Sequence, residues 1–360
     1  MRCRGVASAG LTAAVGLVVL SSVPLAGQTP APRLAIQRPA APKAAATRPA
    51  TPPQTAAKTG APRTPWGDPD LQGVWSYATT TPLERPAEMA GKAFFTPEET
   101  ARRNAESDPD NPSQVRPAAP GDPGTYNKLW GEPGGVALNM RTSLIVDPAD
   151  GRLPALTPNA QKRIAARAEY LRQHPADSWL DRPGDERCII YHGAPPISTG
   201  YSNTYQIFQT PGYVAILDEE VHDVRMIPLD GRPRPRIQRW NGESRGRWEG
   251  DTLVVETTNY SEKAELEPGT PLRFPASTST RATERFTRVG PDRIDYTFTI
   301  DDPTVYTRPW TAERPMPRLP TYVIYEYACH EGNQAMAGIL AGARAEEAAA
   351  AAKAAGTPGK

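Results

Sequence analysis

Histidine and cysteine are scarce in this chain, four and three respectively among 360 residues. The side chains that most often carry metal, thiol or acid–base chemistry can therefore be weighed one at a time. No phosphate loop, nucleophile elbow, zinc-protease helix or dinucleotide fingerprint occurs. The enzyme classes marked by those motifs lose their sequence support with them. Acid is missing from the first 64 residues, which sets the N-terminal region apart from everything that follows.

Arg2 and Arg4 precede an uncharged run from Gly5 to Gly27 whose apolar centre is Leu11 to Leu20. A basic start before a short apolar stretch predicts a secretory signal peptide over residues 1–27. Val19 and Ser21 satisfy the small-residue rule for cleavage. Leu25-Ala26-Gly27 resembles a lipoprotein box, but Gln28 stands where the lipid-bearing cysteine is required. Export to the periplasm or the exterior is the expectation, and an uncleaved membrane anchor the alternative, because the run could just span a bilayer. Residues 28–64 are built from Ala, Pro and Thr with six basic residues. Such a segment cannot bury enough apolar surface to offset its ordering entropy, so it reads as a solvated spacer or as a cationic tether in weak contact with an anionic envelope.

The remaining charge reverses sign. Of 41 basic and 40 acidic residues, the signal holds two basic, the linker six, and the tail over 336–360 three basic and two acidic. The body, residues 65–335, keeps 30 basic against 38 acidic, a net of −8. That argues against a nucleic-acid partner. The alanine-rich tail predicts a helix whose start could dock through Met336, Ile339 and Leu340, fraying beyond Glu346.

Within the body, Leu71 to Thr79 and Thr142 to Val146 read as short strands. Thr96-Pro97-Glu98-Glu99 and Thr157-Pro158 are cap-plus-proline signals for helices to about Ala105 and about Gln173. Asp108 to Gly124, dense in Pro, Asp and Gly, reads as loop. On the long helix Ile164, Ala168 and Leu171 share a face, while Arg163, Arg167 and Glu169 lie elsewhere. From Asn203 the pattern is strand after strand: Thr204–Gln209, Tyr213–Asp218, Val221–Pro228, Ile237–Trp240, Arg245–Trp248, Thr252–Thr258, Thr280–Arg288, Arg293–Ile300 and Thr321–Ala328. The prediction is a single, mainly β domain, an antiparallel meander barrel or barrel-like sandwich, with an N-terminal loop-and-helix extension over 65–200. Trp248 and Leu253 belong to its core.

Gly73-Val74-Trp75 resembles the Gly-X-Trp opening of lipocalin-type barrels. A wider set also matches: Ser143 to Pro148, Ile227 to Pro233, Arg245 to Tyr260, Arg308-Pro309-Trp310 and Glu326 to Asn333. Together these resemble a family of exported bacterial proteins over most of Pro65 to Glu347. The resemblance implies export and this domain span, and carries no catalytic residue over.

Cys3 leaves with the signal, so Cys188 and Cys329 remain as an even pair in an oxidising compartment and predict a disulfide. Closing a loop of roughly 140 residues would stabilise the fold by about 3–5 kcal/mol on the chain-entropy account. The rival is a metal set of Cys188, His192, Cys329 and His330. It is disfavoured because strand neighbours such as Cys329 and His330 point to opposite faces. No metal and no cofactor is expected. The bridge would bring His330 and Glu331 close to Arg187 and His192, where His330 is either a general acid or base or a hydrogen-bonded structural residue. In Asp218 to Arg225, Glu220 and His222 share one strand face, and Asp223 and Arg225 form an ion pair on the other. Charge on both faces means an edge strand or a polar cavity, in which Glu220, His222, Tyr205 and Arg225 would meet a ligand. The arginines at 232, 234, 236, 239, 245 and 247, interleaved with Trp240 and Trp248, either bind an anionic or carbohydrate ligand or pair with carboxylates such as Glu243 and Glu249.

Three functions fit this reading. The first is a barrel-like protein binding a small apolar or amphipathic molecule. The second is a hydrolase, isomerase or lyase using His222 with Glu220, or His330 with Glu331. The third is an envelope interaction module with a solid interior. The cysteine reading is directly measurable: thiol titration of the exported, denatured protein should find no free thiol, whereas two reactive thiols would exclude the bridge.

Overall fold

The computed structural model describes residues 62–106, 139–198, 201–264 and 277–356. The expected signal, most of the basic linker and the Asp108 to Gly124 loop lie outside these residues. Two antiparallel sheets make the body. One contains β1 (Gly73–Ser76), β3 (Thr204–Thr210), β4 (Tyr213–Asp218) and β5 (Val224–Pro228), in the order β1-β3-β4-β5. The other contains β2 (Ile145–Asp147), β6 (Glu243–Glu249), β7 (Thr252–Thr258), β8 (Arg281–Gly290), β9 (Arg293–Asp301) and β10 (Trp310–Pro317), in the order β2-β10-β9-β8-β7-β6.

Period-two patterning builds both sheets. On β8 and β9 the inward residues Ala282, Phe286, Ile294, Tyr296, Phe298 and Ile300 are buried, and the residues between them are more exposed. They meet Tyr205, Ile207, Val214, Ile216 and Ile227 of the smaller sheet in one core, with Leu253, Val255 and Trp310 alongside. The β6–β7 hairpin turns at Gly250, whose φ of +61° suits glycine at the first central position of a tight two-residue loop. Leu253 is wholly buried, and Trp248 packs on the core from a partly buried position.

The lateral edges of the sheets meet as well. β5 lies beside β6, and β1 lies beside β10, where Trp75 bridges to Arg318. The two ladders stay separate, so the described residues form a sandwich with two touching seams and not a closed barrel. Gly246 of β6 sets the first seam. A β-carbon there would stand 2.6 Å from Leu229 Cδ2 and 2.9 Å from Ile227 Cγ2.

Helices α1 (Pro97–Glu106) and α2 (Pro158–Gln173) start where their cap-plus-proline signals place them, with the Thr157 side chain accepting from the Ala160 amide. The α2 face is lighter than its pattern suggests. Only Ala160 is buried, Ala168 is exposed, and Arg163 and Arg167 are half-buried beside Ile164 and Leu171. Helix α3 (Ala335–Ala355) continues well past Glu346, with Met336, Ile339 and Leu340 half-buried at its start. Arg344 ties it to the carbonyls of Ala176 and Asp177 at 3.0 and 3.2 Å.

Three expected strands are different. Val221–Pro228 divides into a single 3-10 turn at Glu220–His222 and the shorter β5, because Val221 takes a left-handed conformation at φ +62°. Ile237–Trp240 forms no strand and makes only one isolated bridge, from Arg239 to Tyr260. Thr321–Ala328 runs as a coil, and β10 supplies the last strand instead. Its prolines hide it in the sequence. They are tolerated because β10 pairs with β9 throughout but with β2 only at Thr311 and Ala312, which leaves Pro315 and Pro317 without a ladder partner on the far side.

The seam gives a stability test. Gly246→Ala forces Leu229 and Ile227 aside and should destabilise by about 1–3 kcal/mol in urea unfolding. A neutral effect would show that the seam is loosely packed.

Candidate functional site

The sandwich interior is not uniformly apolar. β3 and β4 pair Tyr205 with Asp218, and both side chains turn inward. Tyr77, just beyond β1, packs its ring 4.7 Å from that of Tyr205. Its hydroxyl donates to Asp218 Oδ1 at 2.9 Å and lies 2.6 Å from His192 Nδ1. His192 comes from the loop after α2, with Nδ1 3.2 Å from Asp218 Oδ1 and Nε2 3.2 Å from Glu220 Oε2. A buried imidazole thus has a carboxylate at each ring nitrogen and a phenol at one of them.

Glu220 reaches this position because the chain kinks after β4. Val221 is β-branched, and its left-handed φ is costly for such a residue, on the order of 1–3 kcal/mol. The kink turns Glu220 toward the loop that carries His192, where a continuous strand would have aligned it with Val224. Backbone strain beside a buried carboxylate is characteristic of sites shaped for more than stability.

A second polar group crosses the sandwich. Arg225, inward on β5, is ion-paired with Glu284 of β8 and also donates to Ser244 and Thr257. Tyr296 of β9 donates to Glu284 Oε1 at 2.9 Å. Burial alone would lower the Arg225 pKa, but the adjacent Glu284 outweighs it and holds the guanidinium well above its usual value. Arg314 of β10 lies over the rings of Tyr77 and Tyr296, at 5.1 and 5.8 Å. Its Nη2 donates to the Pro196 carbonyl at 3.1 Å. Burial pulls its pKa down. Burial also pushes the Tyr77, Tyr205 and Tyr296 hydroxyls well up, reinforced by Asp218 for the first two and Glu284 for the third. These phenols therefore stay protonated, and Tyr77 and Tyr296 donate to Asp218 and Glu284.

Two covering segments are bolted together over this cluster. Cys188 and Cys329 form a disulfide with Cα atoms 5.7 Å apart. The bond joins the His192 loop to the coil after β10, from which Tyr322 donates to Glu219 Oε1 at 2.6 Å. Half-buried Tyr191, Tyr201 and Tyr327 form a row toward the interior, with ring centres 6.3 Å apart for the first pair and 6.4 Å for the second. Tyr191 in turn packs edge-on to His192 at 5.2 Å.

Of the residues singled out from sequence, His192, Tyr205, Glu220 and Arg225 come together in the interior. The backbone of His222 lies in the 3-10 turn, and its side chain is outside the described set. Asp223 does not pair with Arg225. It accepts from Asn241 Nδ2, while Arg225 turns inward to Glu284. His330 and Glu331 are exposed in the turn after Cys329, and His330 lines a cleft of about 310 Å³ with Arg187, Trp179 and Cys188. The metal alternative fails chemically, since its two sulfurs are bonded to each other. No group of three or more His, Cys, Asp or Glu suited to a metal occurs among the described residues.

The basic run mostly pairs with acid. Arg232 meets Asp230, Arg234 meets Glu256, Arg239 and Arg245 meet Glu243, and Arg247 meets both Glu249 and Glu256. Tyr77, Glu284, Tyr296 and Arg314 were not singled out from sequence. Glu284 carries a readable signal, as a charge between Ala282 and Phe286 on the inward register of β8.

The buried ion pair makes a sharp prediction. Glu284→Gln leaves the Arg225 charge uncompensated and should cost about 3–5 kcal/mol in chemical denaturation. A loss under about 1 kcal/mol would show that Arg225 finds water or another anion.

No protein-family model matches this chain, and neither the curated proteins nor the solved structures contain a significant match.

Proposed function

We propose that this protein is an exported enzyme that performs acid–base chemistry on a small, oxygen-bearing molecule, with His192 as the proton-transfer group. The observation that carries the reading is the position of His192, buried with Asp218 at one ring nitrogen and Glu220 at the other. A phenol and two carboxylates around an imidazole are proton donors and acceptors, so the arrangement suits proton transfer more than activation of a nucleophile. Glu220 exchanges the proton at Nε2, Asp218 orients Nδ1, and Tyr77 bridges His192 Nδ1 and Asp218, donating its one proton to the carboxylate. Isomerase or lyase chemistry fits this set best. The apolar-ligand reading draws less support, because the interior near His192 is lined by Tyr205, Asp218 and Arg314 as well as by hydrocarbon.

Export is part of the proposal. A disulfide suits an oxidising compartment, and no helix of the described residues is long and apolar enough to cross a membrane. The sandwich, with both seams in contact, also supports a barrel-like, lipocalin-type reading of the body.

The test is untargeted mass spectrometry of a soluble metabolite extract incubated with the purified protein. The native protein should convert at least one small molecule. His192→Gln, with its fold verified by circular dichroism, should slow that conversion by about 10²- to 10⁴-fold. Equal conversion by both proteins removes His192 from the chemistry. A metabolite that is retained but unchanged favours a binding protein.

A further inference from the structure

Two interior residues, Arg314 and Tyr205, carry donors without an acceptor among the described residues. Arg314 is 1% exposed, and its Nε and Nη1 find no hydrogen-bond partner among the described residues. Tyr205 is fully buried, and its hydroxyl also lacks a partner among them. Native interiors rarely keep such groups, and an unpaired guanidinium is the costliest kind. The contrast with Arg225 is instructive. That residue, 8% exposed, is ion-paired with Glu284 and bonded to Ser244 and Thr257. The fold therefore supplies a carboxylate partner to Arg225, whereas Nε and Nη1 of Arg314 find none among the described residues.

Position gives these donors a use. Arg314 lies over Tyr77, whose hydroxyl contacts both His192 and Asp218, and Tyr77 packs against Tyr205. The open donors and the proton-transfer group thus surround the same part of the interior. We propose that Arg314 and Tyr205 are the capture site for a carboxylate of the protein's small-molecule ligand. A planar monoanion compensates the one unpaired guanidinium and accepts from the phenol with a remaining lone pair. A phosphate dianion would bring a second negative charge toward Asp218 and Glu220, so the carboxylate is the better match. The inference rests on the acid–base reading for what happens to the ligand, and on Arg314 and Tyr205 alone for its capture.

Thermal unfolding of the full exported chain provides the test, with acetate, benzoate, succinate and inorganic phosphate as probes at constant ionic strength and sodium chloride as the control. At least one carboxylate should raise Tm saturably, and phosphate should do so less. Tyr205→Phe should weaken the apparent affinity by about three- to tenfold, while the ligand-free Tm stays level or rises, because a buried donor without a partner has been removed. Arg314→Met should lose the response altogether. If that variant does not fold, Tyr205→Phe still decides the matter. His192→Gln should retain carboxylate binding, so loss of turnover with binding intact is separable from loss of capture. The proposal is overturned if no carboxylate gives a saturable shift, if phosphate gives the stronger one, or if native protein and Tyr205→Phe respond alike.

Discussion

Five consecutive strands are held to one buried ion pair. Arg225 on β5 meets Glu284 on β8, and Ser244 on β6, Thr257 on β7 and Tyr296 on β9 supply the surrounding hydrogen bonds. Each polar group alone would be expensive inside a sandwich, and the network is tolerable only because every strand contributes a partner. The constraint acts on register. A shift of one residue on any of these strands would move its polar group to the outer face and leave the others exposed to the low-dielectric interior. The pair also bridges the sheets, joining the edge of the smaller one to the middle of the larger, so their separation is fixed at a polar contact. A polar interior next to His192 is then a consequence of how the sheets are joined.

The covering segments follow a different logic. The loop carrying His192 and the coil after β10 have little regular structure, and apolar burial alone would hold them weakly. The Cys188–Cys329 bond ties them to each other, Tyr322 ties the coil to Glu219, and Tyr260 donates to the Ala194 carbonyl at 2.6 Å. His192 is thereby presented to the sandwich by a loop that is fixed at several points. A site built on loops but held by a rigid scaffold is a common arrangement for chemistry, since loops can approach a ligand where strands cannot.

Much of the fold was legible because alternation and turn chemistry are local. The β6–β7 and β8–β9 hairpins and the α2 cap at Thr157 could be read from neighbours in sequence, and the Cys188–Cys329 pair from cysteine count alone. The failures have equally specific causes. β10 was hidden by Pro309, Pro315 and Pro317, since proline breaks a strand only where its missing amide is needed, and that depends on which side of β10 has a neighbour. Thr321–Ala328 alternates like a strand but joins neither sheet. Val221 obscured the turn at Glu220, because a β-branched residue is the last expected at positive φ. With β10 missed, Arg314 could not be placed inside, and so the most informative donor of the candidate site stayed invisible. His192 and Tyr205 were recognised, but their partners come from elements far apart in sequence.

Charge connects the ion pair to the chemistry. Around the candidate site the buried guanidiniums of Arg225 and Arg314 lie among buried carboxyl groups that include Asp218, Glu220 and Glu284. Glu284 is committed to Arg225, and Arg314 lies over Tyr77, whose hydroxyl donates to Asp218. His192, with a carboxylate at each nitrogen, is the proton-transfer group of the proposed site. In the proposed site, a ligand carboxylate arriving at Arg314 would offset that residue's field at Asp218. Capture and proton transfer would then be coupled through electrostatics, without a conformational relay. The same fixed network that sets the sheet register keeps Arg225 paired with Glu284, so in the proposed site an incoming carboxylate would meet Arg314, which lies over Tyr77.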